Sequence, residues 1–467
     1  MRSDVILAAG YLEAGLPAAA ADAAREIVAR RPEDADAHYI LGGALDRLGE
    51  AAEAIAELSR AAALAPADPA VRHALGLTLY RAGRAEEALA DLRFAAEAGN
   101  PAFAESLGAC LMTLSRPDEA EPFLARVAAA RPGDALAWMN WGAALIDLNR
   151  CEEAIAACDR ALALDPEHAE ARMTRAIALL LAGRWAEAWP EYEARWRTRA
   201  FREAYPTPAC RRWRGEALPP GSRLWVRGEQ GYGDQIQFAR FLAPAAARAG
   251  VPLAVSANAA LHRLLRGLPG VEACVELAAA PEGCSAEIPM QSLAALFAPM
   301  PEAVPAAVPY LTPPAQPALP PRRDGRLRLG VVWAGKPKPR DRAIGPALLA
   351  AALAGADAEI FSLQTGKPAR ARPPGWTDLA PQIHDFADTA ALIAQMDAVV
   401  SVDTAVAHLA GALGVPVFVL LIAGADWRWL RGRGDTPWYP SARLLRQEKR
   451  GDWSAPLAAL RAALQSM

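Results

Sequence analysis

A repeat of about 34 residues in the first two hundred positions constrains the fold of this chain more than any other feature of its sequence. A small residue returns at this spacing, with one interval two residues shorter, at Ala20, Ala54, Ala88, Ala120, Ala154 and Ala188. A two-residue turn recurs with it as Leu48-Gly49, Ala82-Gly83, Ser115-Arg116, Asn149-Arg150 and Ala182-Gly183. Prolines at 32, 66, 132 and 166 end the second helices of four of these repeats. The pattern predicts about six stacked helical hairpins over residues 3–200.

This pattern resembles the tetratricopeptide repeat (TPR), in which small residues let two antiparallel helices approach closely. The resemblance implies an α-solenoid whose concave face receives a protein or peptide. A dimerisation or spacer module is the alternative interpretation, because a fold alone does not specify a function. The aromatic residues at 138, 141, 185, 189, 192 and 196 follow helical spacing, which favours a core or a capping surface over ligand stacking.

Charge and cysteine content exclude several classes of protein. Lys and Arg number 50 against 53 Asp and Glu, so no overall positive charge favours nucleic acid or an anionic membrane. The six cysteines form no C-x-x-C pair, which predicts free thiols in a reducing compartment. The apolar run at 5–9 is too short for a secretory signal, and the run at 415–425 is about half of a membrane span. We therefore expect a cytoplasmic protein without a transmembrane segment.

After Trp196 the repeat gives way to alternating strands and helices. Apolar runs at 223–227, 251–255, 327–333, 359–363, 398–402 and 415–421 predict strands that are buried on both faces. Nine prolines in residues 299–321 exclude a helix or a central strand and predict a linker. The predicted organisation is a solenoid over 1–200, an α/β half over 201–321 that ends in this linker, and a second half over 322–467. The fold class is α plus α/β.

The carboxyl ends of such strands are where ligands bind, and one of them carries a candidate site. The strand at 398–402 is followed by Asp403 and Thr404 at the start of a helix, with His408 four residues further on the same face. Exposed N–H groups and the helix dipole favour an anion there, most naturally a phosphate or diphosphate. The alternative is a helix cap with a buried imidazole at 408.

Two further segments lie at other carboxyl ends. Residues 335–342 contain four cations and one acid, and among them Lys336 and Arg342 are candidates to neutralise a diphosphate. The loop 228–234 holds three glycines, Gly228, Gly231 and Gly233, which permit close approach of the backbone. Asp234 ends this loop and is either a helix cap or a general base.

Taken in order, these motifs resemble bacterial TPR proteins with a glycosyltransferase family 9 (heptosyltransferase-like) domain. The similar segments are GEQGYGDQIQF at 228–238, VWAG at 332–335, SLQ at 362–364, DFADT at 385–389, SVDTAVAHLAGALG at 401–414, DWRW at 426–429 and PWYP at 437–440. The resemblance implies a GT-B glycosyltransferase with two Rossmann-like halves and a nucleotide-sugar donor in the second half. It also implies donor contacts from Asp403, Thr404 and His408 with Gln364 nearby, charge neutralisation by Lys336 or Arg342, and Asp234 as the catalytic base.

Other chemistries lack their motifs. The glycine loop lacks the third glycine of a dinucleotide fingerprint, and the chain contains neither a P-loop nor a Gly-x-Ser-x-Gly elbow. The α/β part has no Asp-x-Asp to hold a metal, and Asp34-Ala35-Asp36 is interpreted as a helix cap within a repeat. We therefore expect transfer without a metal or other cofactor. Two functions remain open: a glycosyltransferase with a protein acceptor recruited by the solenoid, or a degenerate TPR scaffold that retains a nucleotide-binding domain.

Overall fold

Six pairs of helices occupy residues 3–192 in the computed structural model, which describes residues 3–205, 207–208, 210–322, 325–336 and 342–467. Consecutive helices from α1 to α9 pack against each other, and so do α11 and α12, as the predicted hairpins require. The helices are α1 Ser3–Glu13, α2 Pro17–Arg30, α3 Ala35–Leu48, α4 Ala51–Leu64, α5 Pro69–Arg81, α6 Ala85–Glu97, α7 Pro101–Thr113, α8 Pro117–Ala130, α9 Ala135–Asp147, α10 Cys151–Leu164, α11 Ala169–Leu181 and α12 Trp185–Tyr192.

Local sequence explains where these helices start and how closely they pack. Asp34 caps α3 by accepting a hydrogen bond from the Ala37 N–H at 3.2 Å, which confirms its interpretation as a cap. A Cβ atom added at Gly76 would lie 2.8 Å from Leu92 Cγ, so glycine allows α5 and α6 to approach. The turn position is left-handed in each repeat, and where glycine is missing Ser115 (φ 57°) and Asn149 (φ 59°) take its place.

The chain divides into two compact units. One extends to Leu148 and includes Ala156–Pro166, and the other comprises Asn149–Ile155 and Glu167–Met467. The second unit therefore contains α11 and α12 together with the α/β halves. The domain bounds expected from the sequence, with a boundary at 200, stay a prediction.

The first α/β half is built on a five-stranded parallel sheet with the order β1-β5-β2-β3-β4. Its elements are α13 Arg199–Ala204, β1 Arg211–Arg212, β2 Arg223–Arg227, α14 Tyr232–Phe238, α15 Leu242–Ala249, β3 Leu253–Ala257, α16 His262–Leu265, β4 Val271–Glu276, β5 Cys284–Pro289 and α17 Leu293–Phe297. The chain runs from β2 outwards to β4 and then returns to β5 on the other side of β2. The switch of direction therefore lies next to β2, whose carboxyl end leads into the glycine loop.

The second half is built on a six-stranded parallel sheet with the order β11-β10-β9-β6-β7-β8. Its elements are β6 Leu327–Val332, α18 Pro346–Leu353, β7 Ala358–Ser362, β8 Thr377–Asp378, α19 Phe386–Ile393, β9 Ala398–Val402, α20 Ala405–Ala412, β10 Val417–Leu421, β11 Ala442–Arg446 and α21 Ser454–Gln465. The switch of direction lies between β6 and β9, so a ligand site is expected beyond their carboxyl ends. The predicted order of a helical solenoid followed by two α/β halves is confirmed.

The proline-rich segment 299–321 contains one short 3-10 turn at Pro301–Ala303 and otherwise runs without regular structure. Tyr310 connects it to both halves, because its N–H donates to the Ala412 carbonyl at 3.0 Å and its hydroxyl donates to the Ile236 carbonyl at 3.0 Å. Among the helices of the described residues, none has both the length and the apolar character needed to cross a bilayer.

An aromatic cluster packs the last helical pair against the second half. Trp185 stacks on Trp438 with ring centroids 5.1 Å apart, and Trp189 meets Trp427 edge to face at 5.7 Å. The Trp189 indole N–H also donates to the Ala298 carbonyl at 3.0 Å. All four tryptophans are buried, so the interpretation of these repeat aromatics as a capping surface is confirmed for Trp185 and Trp189.

Candidate functional site

A cavity of about 830 Å³ lies at the carboxyl ends of strands from both halves. Its walls come from the loops that follow β2, β6, β7, β9 and β10, which include the switch points of both sheets. This volume lies in the range of small-molecule and cofactor sites.

The cavity gathers nearly all of the residues proposed from the sequence. Its lining contains Gly231, Gly233, Asp234, Lys336, Arg342, Gln364, Asp403, Thr404 and His408. Gly228 lies outside it, and a Cβ added there would be 2.4 Å from the Ser256 carbonyl oxygen, so this glycine is required by the neighbouring strand. Residues 337–341 of the cationic segment lie outside the described residues.

Asp403 and Arg342 form an ion pair on the wall supplied by the second half. Arg342 Nη1 lies 2.7 Å from Asp403 Oδ2, and the Asp403 side chain is buried. The neighbouring Thr404 is the N-cap of α20, and its hydroxyl lies 2.9 Å from the Ser401 hydroxyl. The N–H groups of Ala407 and His408 donate to the Thr404 carbonyl, whereas those of Ala405 and Val406 precede the first carbonyl that the helix can offer, so these two are suited to an anion. Lys336 lies on the same wall and is exposed.

His408 is a buried, neutral imidazole. Its Nδ1 is 3.0 Å from the Tyr439 hydroxyl, its ring stacks on Trp429 at 4.9 Å, and its Nε2 is 3.9 Å from Asp403 Oδ1. Burial lowers the pKa of His408 to about 4, against the opposing effect of Asp403. The side chain therefore carries no positive charge at pH 7 and contributes shape and hydrogen bonding to the site.

Asp234 brings a carboxylate from the first half into the same cavity. Its Oδ2 accepts a hydrogen bond from the Gly231 N–H at 2.8 Å, and its Oδ1 lies 2.5 Å from Arg428 Nη2. Burial raises the pKa of Asp234, while Arg428 and the Gly231 N–H oppose this increase. Asp234 is thus both a helix-start acceptor and a candidate base, the two roles considered from the sequence.

Gly233 brings the two halves into contact beside these groups. A Cβ atom at this position would lie 2.8 Å from His408 Cδ2 and 3.5 Å from Ala405 Cα. Only a residue without a side chain lets α14 pack this closely against α20. The glycine loop therefore touches the second half directly at the site.

Gln364 lines the cavity, but its amide bonds to the backbone. Its Oε1 accepts hydrogen bonds from the Trp333 and Ala334 N–H groups at 3.1 and 2.9 Å, and its Nε2 donates to the Ala334 carbonyl at 3.1 Å. The side chain holds the ends of β6 and β7 together, so its role in this structure is to shape the wall.

Sequence reasoning missed Arg428, which follows β10 and lines the cavity. Its Nη1 bonds to Asp426 Oδ1 at 2.8 Å, and its guanidinium carbon lies 4.4 Å from the centre of the Trp427 ring. The sequence did contain an indication of this residue, because a basic side chain stands within an apolar segment just after a predicted strand. The segment DWRW was used only for its resemblance to a family.

A buried network behind the glycine loop was also missed. Arg195 donates to both oxygens of Glu229 at 2.8 and 2.9 Å, and both side chains are completely buried. Arg195 also donates to the Ser292 hydroxyl at 2.8 Å, and the Gln230 amide donates to the Tyr192 hydroxyl at 3.0 Å. The end of α12 and the residues that follow it therefore hold the loop that leads to Asp234.

Comparisons with known proteins match two families to separate parts of the chain. The tetratricopeptide repeat family matches residues 7–69, 73–135 and 139–218. Glycosyltransferase family 9 (heptosyltransferase) matches residues 359–444, a range that includes Gln364, Asp403, Thr404, His408 and Arg428.

Individual relatives cover parts of the chain. Protein FlbA of Caulobacter vibrioides is 29% identical over 324 residues, which are 62% of this chain and 53% of FlbA, so the chain spans about half the length of that relative. The solved structure of YrrB, described as a TPR protein with an unusual peptide-binding site, is 21% identical over 38% of this chain and 94% of its own, with a TM-score of 0.36. MamA from Desulfovibrio magneticus RS-1 is 22% identical over 37% of this chain and 97% of its own, with a TM-score of 0.33. The family matches assign tetratricopeptide repeats to the first part of the chain and a glycosyltransferase family 9 domain to residues 359–444.

Proposed function

We propose that this protein is a GT-B glycosyltransferase that moves a sugar from a nucleoside-diphosphate donor to an acceptor, with no metal ion or other cofactor. The observation that carries the proposal is the convergence of Asp234 from the first half with Arg342, Asp403 and the start of α20 from the second half on one cavity. A carboxylate opposite an anion-binding helix start is the arrangement that transfer from a diphosphate to a hydroxyl requires.

The second half is suited to the donor. The first two N–H groups of α20, together with Arg342 and Lys336 on the same wall, would bind the diphosphate and stabilise the charge that develops on it. Since His408 is neutral, the positive charge has to come from the basic side chains and the helix dipole. Asp403 orients Arg342 through their 2.7 Å ion pair.

Asp234 is suited to act as the general base. The acceptor hydroxyl transfers its proton to the Asp234 carboxylate while its oxygen forms a bond to the anomeric carbon of the donor sugar. The bond between that carbon and the diphosphate oxygen breaks, and the nucleoside diphosphate leaves with the electron pair. The raised pKa of Asp234 makes it a better proton acceptor than an exposed carboxylate.

The repeats supply the second part of the proposal. Repeats of this class stack into an extended surface that binds peptides and proteins, so we propose a protein acceptor held by the solenoid. A glycan or lipid acceptor would need no such surface.

The first test is nucleotide binding. Thermal shifts are measured with ADP, UDP, GDP, CDP and CMP, with and without magnesium, because a ligand that binds only the folded protein raises its stability. We expect a shift with one nucleotide that does not need magnesium and that decreases in Arg342→Gln. The matched control is Arg326→Gln, an exposed arginine paired with Asp357 away from the cavity, which should leave the shift unchanged.

The second test separates transfer from binding. Asp234→Asn should abolish transfer from the matching nucleotide sugar while it retains nucleotide binding. A protein that binds none of the five nucleotides would contradict the proposal and favour the TPR scaffold. Equal transfer by Asp234→Asn would exclude Asp234 as the base.

A further inference from the structure

Arg428 joins the two halves at the site. It follows β10 in the second half, and its Nη2 lies 2.5 Å from the Oδ1 atom of Asp234 on α14 of the first half. Its Nη1 lies 2.8 Å from Asp426 Oδ1. The side chain is buried and lines the cavity, so the guanidinium stands between the candidate base and the space that the donor would occupy.

The guanidinium of Arg428 has unused donor capacity. Its Nε is buried and has no hydrogen-bond partner among the residues that the structure describes, and its Nη2 is at a long 3.5 Å from Gln291 Oε1. A guanidinium has five N–H donors in a planar fork that matches the geometry of phosphate. An unsatisfied donor in a buried position is costly unless an anion completes it.

Several ionisable side chains surround Asp234 and the Arg428 guanidinium. Arg428 and Asp426 face Asp234 from the segment after β10, Arg342 from the loop before α18, Glu229 from the glycine loop, and Tyr205 from the segment after α13. The neutral His408 lies against the adjacent Gly233. A diphosphate that enters the cavity must therefore compete with carboxylates for the two arginines.

We propose that Arg428 is a positioning residue that serves two anions in turn. It holds the Asp234 carboxylate in this structure, and the diphosphate of the donor takes over part of the guanidinium when it binds. Asp234 then loses its strongest cationic partner and becomes more basic when the acceptor hydroxyl has to be deprotonated. This inference rests on the proposed function and assigns to Arg428 the coupling of donor binding to base activation.

The exchange of Arg428 between Asp234 and a diphosphate can be tested with inorganic pyrophosphate, which has neither the sugar nor the nucleoside of the donor. Its affinity is measured by titration calorimetry in EDTA at low salt for the unmodified protein, Asp234→Asn, Arg428→Gln and the double variant. Removal of the competing carboxylate should increase the affinity about tenfold, and loss of the guanidinium should decrease it about tenfold. In the Arg428→Gln background, Asp234→Asn should have an effect of less than about threefold, because the exchange needs both residues.

Matched controls come from an exposed pair on the same segment. Asp435→Asn and Arg433→Gln change the net charge by the same amounts, and this pair lies outside the cavity lining. Neither should change the pyrophosphate affinity by more than about twofold at this ionic strength. If Arg428→Gln does not fold, Arg428→Met provides the second background, because methionine keeps an apolar stem in the buried position without the charge.

The outcomes distinguish this inference from the proposed function. If neither pyrophosphate nor any nucleoside diphosphate binds the unmodified protein, the proposed function is wrong, and so is the exchange of Arg428 between Asp234 and a diphosphate. If pyrophosphate binds but Asp234→Asn leaves its affinity unchanged, the proposed function stands and the exchange is wrong. An equal gain from Asp234→Asn in both backgrounds would also overturn the exchange, because it would show simple repulsion between anions.

Discussion

At the residue scale, the Arg195–Glu229 ion pair supports the candidate site although neither residue lines the cavity. The two side chains are completely buried and joined by two hydrogen bonds. Glu229 lies in the glycine loop, which ends at Asp234. A buried ion pair is weak support for stability when intact, but removal of one partner leaves an uncompensated charge.

We therefore expect Glu229→Gln to lower the free energy of unfolding by about 3 kcal/mol, the low end of the range for a broken buried pair, because Glu193 stays 2.9 Å from Arg195. Urea unfolding measures this change. Glu272→Gln is the control, since its pair with Arg223 is exposed and screened by water, so its loss should change the free energy of unfolding much less. Similar losses in the two variants would contradict a special role for the buried pair.

The depressed pKa of His408 predicts the direction of a pH effect on stability. The unfolded chain binds a proton near the ordinary histidine value of 6.5, whereas the folded chain resists protonation until about pH 4. The unfolded state binds more protons between these values, so stability contributed by neutral His408 is present above about pH 6.5 and is lost as the pH falls towards 4.

His408→Gln removes this titration and can still bond to Tyr439. The difference in free energy of unfolding between the original protein and this variant should decrease steadily from pH 7 to pH 4. Chemical denaturation across this range measures it, and a difference that does not change with pH would show that His408 does not titrate as proposed.

At the element scale, the contact between α14 and α20 determines how the base meets the donor wall. His408 cannot retreat from a new side chain at position 233, because it is already packed between Trp429 and Tyr439. Gly233→Ala should therefore push the two helices apart.

We expect Gly233→Ala to reduce transfer by at least about tenfold, since displacement of a catalytic group by about 1 Å is costly. Nucleotide binding should decrease less, because the donor wall belongs to the second half. The control is Gly345→Ala, where no atom of the described residues lies within 4 Å of an added Cβ, and it should retain activity. Unchanged transfer in Gly233→Ala would show that this contact does not position Asp234.

A strand could be predicted from the sequence when both of its faces are covered. The apolar runs at 223–227 and 398–402 coincide with β2 and β9, because strands covered on both faces have continuous apolar sequences. The strands β4 and β5 were not predicted, since Val271–Glu276 alternates with charged residues and Cys284–Pro289 contains Ser, Glu and Pro. β5 nevertheless lies beside β2 and completes the switch point there.

At the scale of the whole molecule, the compact unit with the α/β halves begins well before residue 200. It includes Trp185, Trp189 and Arg195, which pack against residues of both α/β halves. A chain that starts at 201 would expose the surface that these residues cover and leave Glu229 buried without its partner.

We therefore expect a fragment of residues 167–467 to fold and to bind the same nucleotide as the full chain. A fragment of residues 201–467 should aggregate or unfold at a temperature at least 10 °C lower, because it has lost a buried ion pair and an aromatic cluster. Circular dichroism and thermal shift on both fragments measure this. Equal stability of the two would favour the boundary at 200.

The sequence was enough to predict the repeats, most of the strands of the second half and the cluster of Asp403, Thr404 and His408, since these depend on periodicity and on residues close together in the chain. It also indicated Asp234 and Arg342 through their positions at strand ends. Three contacts were visible in the folded chain alone: Asp234 meets Arg428, Arg195 supports the glycine loop, and Gln364 bonds to the backbone. Pairing and burial depend on which distant segments meet, and composition and spacing along one segment carry no record of the partner.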